Sequence, residues 1–166
     1  MRGGVEDLVI RRAVSRDASA IERLYRQLVT NPQVHVTPAR VAEVETDPNT
    51  ALLVADQQGQ VCATALVAFC ADVMFADQPF AVVENVVVES SVRGQGIGAA
   101  LLRQIESLCL KKNCSKMMLL SSAGRAEAHR FFERAGFTGT AKLGFVKYRH
   151  DFGKRKMANK HNRENQ

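Results

Sequence analysis

Arg93-Gly94-Gln95-Gly96-Ile97-Gly98 is the stretch on which the reading of this chain turns. It follows an apolar run, Ala81 to Val88, with the character of a buried strand. It precedes Ala99 to Leu108, which reads as a helix. Glycines between a strand and a helix let backbone N–H groups approach an anion closely, and the helix N-terminus adds a favourable dipole. Arg93 sets a permanent positive charge beside them. The combination is that of a pyrophosphate cradle and points to a nucleotide-like cofactor.

Three cofactor classes compete for such a cradle. A nucleoside-triphosphate P-loop needs Lys and then Ser or Thr after its last glycine, where this chain has Ala99-Ala100. A dinucleotide fingerprint is met in relaxed form by Gly94, Gly96 and Ala99. It asks for an acidic residue at the end of the next strand, and that strand, Lys116 to Leu120, ends in Ser121-Ser122. The motif also lies past mid-chain, with too little chain behind it to complete a doubly wound sheet. The third class is coenzyme A.

Here the sequence resembles the GNAT superfamily of acetyl-CoA-dependent N-acetyltransferases. The family's cofactor motif, Arg/Gln-x-x-Gly-x-Gly/Ala, is matched by Arg93, Gly96 and Gly98. A second stretch, Ala128-His129-Arg130-Phe131-Phe132-Glu133-Arg134-Ala135-Gly136-Phe137, resembles the family's helix ending in a Gly-Phe corner. The resemblance runs from about Leu8 to Tyr148. It implies acetyl-CoA as co-substrate, cradled by Arg93, Gly94, Gln95, Gly96, Ile97, Gly98 and Ala99, with Phe131 alongside. It also implies two adjacent parallel strands, Phe80–Glu89 and Lys116–Ser121, that splay apart so that the pantetheine arm fills the gap like an added strand. The backbone of Val86, Val87 and Val88 would then bond that arm and offer an N–H to the thioester oxygen.

Patterning along the chain gives the order β-α-α-β-β-β-α-β-α-β-β. Leu8 to Val14 reads as a strand, and Asp17 caps a helix on which Ala20, Ile21, Leu24 and Leu28 recur. Thr37-Pro38 opens a short second helix to Glu45. Ala51 to Ala55 and Gln60 to Phe69 form a hairpin across Gln57-Gln58-Gly59. Phe80 to Glu89, a helix from Gly96 to Lys112, the strand Lys116 to Ser121, a helix from Ala126 to Arg134 closed by Gly136, and a last strand Phe145 to Arg149 complete the set. The expected fold class is α/β: one mixed, splayed sheet with helices on both faces, in a single domain over residues 1–150. Residues 151–166 read as a basic, disordered tail.

Acetyl transfer needs a neutral amine, a proton acceptor and a proton for the leaving thiolate. Glu84 is the candidate base, because a carboxylate within Val82-Val83-Glu84-Asn85-Val86 costs free energy unless it is paired, solvated or functional. Strand alternation places Asn85 on the face opposite Glu84. The stretch Glu84 to Val88 is similar to the equivalent strand of glucosamine-6-phosphate N-acetyltransferases, a branch of the superfamily. The resemblance breaks at Phe132, where many members carry a tyrosine that protonates the thiolate. Ser121, Ser122, His129 and Tyr148 are the candidate substitutes, with Ser122 and Tyr148 placed in the catalytic set beside Glu84.

The chain has 166 residues and a formal charge of +6. Residues 153–166 hold five cations against one anion, so most of that charge lies in the tail and nucleic acid is not the expected partner. No apolar stretch spans a bilayer, and Met1 to Asp7 lack the apolar region of a secretory signal. Cys62, Cys70, Cys109 and Cys114 form no C-x-x-C pair, which gives no metal site and fits reduced thiols in a cytoplasmic protein. The expected function is N-acetylation of a small-molecule amine by direct attack. Acetylation of a protein, and a non-catalytic acyl-CoA-binding module with a basic tail, are the alternatives. Family members are often dimers, so the resemblance leaves a homodimer open, while the sequence itself does not fix the oligomeric state.

Overall fold

The computed structural model describes residues 7–154. Strands β1 (Leu8–Arg12), β2 (Thr50–Gln57), β3 (Gln60–Cys70), β4 (Phe80–Val88) and β5 (Met117–Leu119) form one sheet in the order β1-β2-β3-β4-β5. The first four are antiparallel and β5 is parallel to β4. Helices α1 (Ala18–Leu28) and α2 (Pro38–Thr46) precede β2; α3 (Ile97–Lys111) crosses from β4 to β5, and α4 (Ala126–Arg134) follows β5. Short 3-10 turns occupy Ser15–Asp17, Ser90–Val92 and Arg149–Asp151.

The sheet is buried on both faces, which is why β2 and β3 are almost continuously apolar. Ala51, Leu53 and Ala55 meet Leu101, Leu102 and Ile105 of α3 on one face. Leu52 and Val54 meet Ile21 and Leu24 of α1 and Val41 of α2 on the other. Local chemistry sets the boundaries. Gln58 and Gly59 both take positive φ, the geometry of a two-residue hairpin turn. Thr37 accepts the N–H of Arg40, with Pro38 at the first helical position. No helix among the described residues is long and apolar enough to cross a membrane.

Three expectations from the sequence need correction. Phe145 to Arg149 forms no strand; Leu143, Phe145 and Val146 are exposed, and Gly144 rests against Leu120 beyond the end of β5. Periodicity records that a segment could line a sheet face, but not that an edge receives it. Asp17 occupies the N-cap position of α1 without a side-chain cap. Its carboxylate turns back to take Arg11 at 2.7 and 2.9 Å and the Val14 N–H at 2.8 Å. The third concerns Asn85, where an extra residue in β4 breaks the plain alternation of the strand. The tail beyond Lys154 lies outside the described residues.

Asp17 is only 4% exposed. Burial alone would raise its pKa, but the hydrogen bonds from Arg11 and Val14 hold it below the ordinary aspartate range. A depressed folded-state pKa adds stability at neutral pH that is lost as pH falls through it. Asp17→Asn should therefore lower the unfolding free energy at pH 7 by about 3 kcal/mol, read by urea denaturation. The gap to the parent should narrow as pH drops below about 4.

Candidate functional site

The site is built where β4 leaves β5. The two strands pair only at Ala81–Met117, Val82–Met118 and Val83–Leu119. From Glu84 onward the β5 side of β4 has no strand beside it among the described residues. On its other side β4 stays paired with β3 through Val87–Thr64 and Val88–Ala63. Glu89 donates its N–H to the Cys62 carbonyl of β3 at 2.8 Å. By alternation Val87 faces β3 as well, and Val86 and Val88 turn their N–H and C=O groups toward the gap. The expected divergence of these two strands is thus present in the register itself.

β4 carries one extra residue inside this region. Thr64 pairs with Val87 and Leu66 with Glu84, so Ala65 stands against both Asn85 and Val86. Asn85 absorbs the insertion at φ 55°, a conformation that asparagine tolerates better than most residues. The bulge changes the phase of the strand. Ala81 and Val83 face the α3 layer before it, and Val86 and Val88 face that layer after it. Val87 turns into the α1/α2 layer. Glu84 stands opposite Leu66, which packs into the α1/α2 layer. The Asn85 side chain lies close enough to the Tyr25 hydroxyl of α1 to act on its titration. Glu84 and Asn85 therefore share one face, against the expectation from plain alternation. Burial pushes the Tyr25 phenol above its usual pKa, and Asn85 pulls it partly back.

At the end of β4 the chain enters the cradle. Gly94 and Gly96 take φ 80° and 84°, where a side chain would be strained. Gly96 is the N-cap of α3, whose first turn has no side-chain cap and no acidic residue. The N–H groups of a 15-residue helix therefore open onto Arg93, Gly94 and Gln95, all exposed. Arg93 is held by an Nε hydrogen bond to the Val88 carbonyl at 3.1 Å. Ile97 and Gly98 are buried, and Ala99 is half-buried. A Cβ on Gly98 would meet the Phe131 ring at 3.0 Å and Val88 at 3.3 Å. Gly98 is thus what lets α4 close on the start of α3, with Phe131 and Phe132 packed at 5.1 Å between centroids.

The remaining candidates are placed less uniformly. Ser121, just beyond β5, has a buried hydroxyl oxygen with no hydrogen-bond partner among the described residues. Ser122 is exposed; its carbonyl receives the Arg125 N–H, and the His129 ring lies 3.0 Å from the same oxygen. His129 is thereby tied to the β5–α4 connection. Tyr148 is 65% exposed and stacks on His150, in the run after α4 rather than at the β4 edge. Sequence reading assigns Tyr25 no individual role. Its signal is indirect: a tyrosine on the core side of an amphipathic helix needs a partner for its hydroxyl.

These features fit acetyl-CoA. An open strand edge can receive the amide-bearing pantetheine arm. An unpartnered buried hydroxyl at Ser121 has a use for such a polar arm. An uncapped helix N-terminus beside an arginine suits a pyrophosphate.

Comparison with known proteins identifies the family. The profile of the Acetyltransferase (GNAT) family matches residues 19–137, and the chain belongs to that family. It is an acetyl-transferring enzyme. Among solved structures it is similar to a protein of Agrobacterium tumefaciens carrying a provisional acetyltransferase name, with 29% identity over 84% of this chain and 99% of that one, at a TM-score of 0.77. It is also similar to an acetyltransferase of Trypanosoma brucei, with 25% identity, 86% and 100% coverage and a TM-score of 0.72. Glucosamine-6-phosphate N-acetyltransferase from Arabidopsis thaliana shares the fold at a TM-score of 0.74, with 23% identity and 86% and 99% coverage. No curated protein sequence matches the chain.

Gly98→Val tests the closure of α4 on α3. Overpacking against Phe131 and Val88 should cost about 1–3 kcal/mol, seen in thermal melting. Adding Phe131→Ala to Gly98→Val should recover part of that loss, because the clash is with that ring.

Proposed function

We propose that the protein transfers an acetyl group from acetyl-CoA to a primary amine of a small molecule by direct attack. The observation that carries this reading is the open edge of β4, Glu84 to Val88, running into the uncapped start of α3. Arg93 to Ala99 hold the pyrophosphate, and Phe131 lies along the same path. Val86 and Val88 offer backbone bonds to the pantetheine arm, and an N–H at the bulge meets the negative charge that develops on the thioester oxygen. Glu84, exposed on the α1/α2 face, takes the proton of the attacking amine directly or through a water.

Phe132 supplies no proton. A hydroxyl at the end of β5, Ser121 or Ser122, or solvent then protonates the leaving thiolate. Tyr148 could serve only if the exposed run after α4 folds back. An amino sugar is the first acceptor to try, because the Glu84 to Val88 stretch resembles that of amino-sugar acetyltransferases and one structural neighbour is such an enzyme. The four free cysteines suit a reducing, cytoplasmic setting.

A homodimer is supported by the outer edge of β5, which has no strand beside it among the described residues, and by exposed Leu120, Leu143, Phe145 and Val146 near it. Sedimentation velocity should give twice the chain mass; a monomer at tens of micromolar would contradict it.

Turnover is tested with acetyl-CoA and a panel of amines, including amino sugars and their phosphates, polyamines and short peptides, read by mass spectrometry. A selective small amine is the expected result. Acetylated peptides alone would transfer the activity to proteins, and binding without turnover would make the chain a sensor. Glu84→Gln should cut kcat by about 100-fold near neutral pH, with acetyl-CoA affinity kept. Unchanged turnover removes Glu84 from the chemistry.

A further inference from the structure

Helix α1 reaches the cofactor end of the sheet through a group of contacts that the proposed chemistry does not use. The Gln27 Nε2 donates to Glu89 Oε1 at 2.6 Å, and the Gln27 Oε1 receives the Ser90 N–H at 3.2 Å. Arg23 Nε approaches the other Glu89 oxygen at 3.4 Å, while its Nη2 donates to the Val61 carbonyl at 3.1 Å. Glu89 itself caps the Ser90–Val92 turn through the Ser90 N–H. That turn leads directly into Arg93. The hydrogen bond from Gln27 holds the Glu89 carboxylate below its usual pKa, so it is charged across the neutral range.

The same helix is also fastened to the connection that follows it. Glu22 receives the Val36 N–H at 2.8 Å and lies 3.3 Å from His35, both in the α1–α2 connection. Tyr25 lies beside Asn85 at the bulge. One rigid helix therefore touches the α1–α2 connection, the bulge and the entry to the anion cradle.

We infer that Glu89, gripped by Gln27 and Arg23 of α1, is a positioning residue that holds the Ser90–Val92 turn so that the Arg93–Gly98 cradle is formed before acetyl-CoA arrives. The inference rests on the cofactor reading above. A carboxylate at this point does what a longer loop could not. It cancels the ordering cost of the turn in advance, so less of the binding free energy is spent on ordering the loop. Glu89 touches neither cofactor nor amine in this account and acts through the turn.

The test measures acetyl-CoA affinity of the full chain by calorimetry, with steady-state kinetics alongside. Glu89→Ala should weaken acetyl-CoA binding about tenfold, the usual scale for losing a charge-assisted cap. The KM for acetyl-CoA should rise in step, while kcat at saturation and the KM for the amine stay within about twofold. Glu89→Gln keeps an acceptor for Gln27 and Ser90 and should bind within about threefold of the parent. Gln27→Ala should weaken binding in the same direction, and the double substitution should be no worse than Glu89→Ala alone. Gln27 is exposed, so its variant carries the test if Glu89→Ala fails to fold. Unchanged acetyl-CoA affinity in Glu89→Ala and Gln27→Ala, whatever happens to their melting temperatures, would overturn the inference. Equal losses for acetyl-CoA and amine would overturn it too. A parent protein that binds no acetyl-CoA overturns the cofactor reading, and this inference with it.

Discussion

β4 leaves β5 after Val83, and it carries an extra residue at Asn85 just beyond that point. The separation strips hydrogen-bond partners from one side of the strand. Buried or half-buried backbone groups left in that state are costly unless water or a ligand meets them. The bulge then rotates the chain, so that Val86 and Val88 pack toward α3 while Glu84 and Asn85 look toward α1. A strand without the extra residue would put Val86 and Val88 on the face that Glu84 uses.

The surrounding structure supports that one opening from both faces. On one side α3 is pinned by its own apolar face and by α4, and the close approach at Gly98 brings Phe131 over its start. On the other, α1 is held at its N-terminal end by buried Asp17 paired with half-buried Arg11 and at its C-terminal end by Gln27 and Arg23 on Glu89. The pair is costly to desolvate, and its geometry compensates: Asp17 takes two guanidinium bonds and a backbone N–H, while Arg11 also reaches Asp56. The thiols play a quieter part. Cys62 and Cys109 are buried, and burial together with the neighbouring Cys114 pushes Cys109 up to about 12, which keeps it an unreactive core group.

Much of this was legible in the sequence, for physical reasons that differ from element to element. Glycines at 94 and 96 announce positive φ and a close approach, and both have it. Thr37-Pro38 announces a helix start and gives one. The layering on both faces follows from strands too apolar to have a wet side. The bulge was hidden, because strand alternation assumes a constant phase; the trace it leaves is a polar pair, Glu84-Asn85, that interrupts a valine run with one of the non-glycine residue types most at ease at positive φ. Asp17 looked like a cap since an acidic residue before a helix usually is one, and nothing local shows Arg11 arriving from β1. Phe145 to Arg149 has strand-like residues but no partner within the described chain, and pairing is a tertiary property.

The central claim is that the open edge of β4 and the start of α3 together receive acetyl-CoA. Amide chemical-shift mapping on isotope-labelled protein tests it most directly. On titration with coenzyme A the largest shifts should fall at Val86, Val88 and Gly94 to Gly98, with smaller ones at Ser121 and Phe131. Shifts confined to another surface, such as the cleft bounded by Arg16, Gln58 and Gln60, would contradict the account. So would no shifts at all at millimolar ligand.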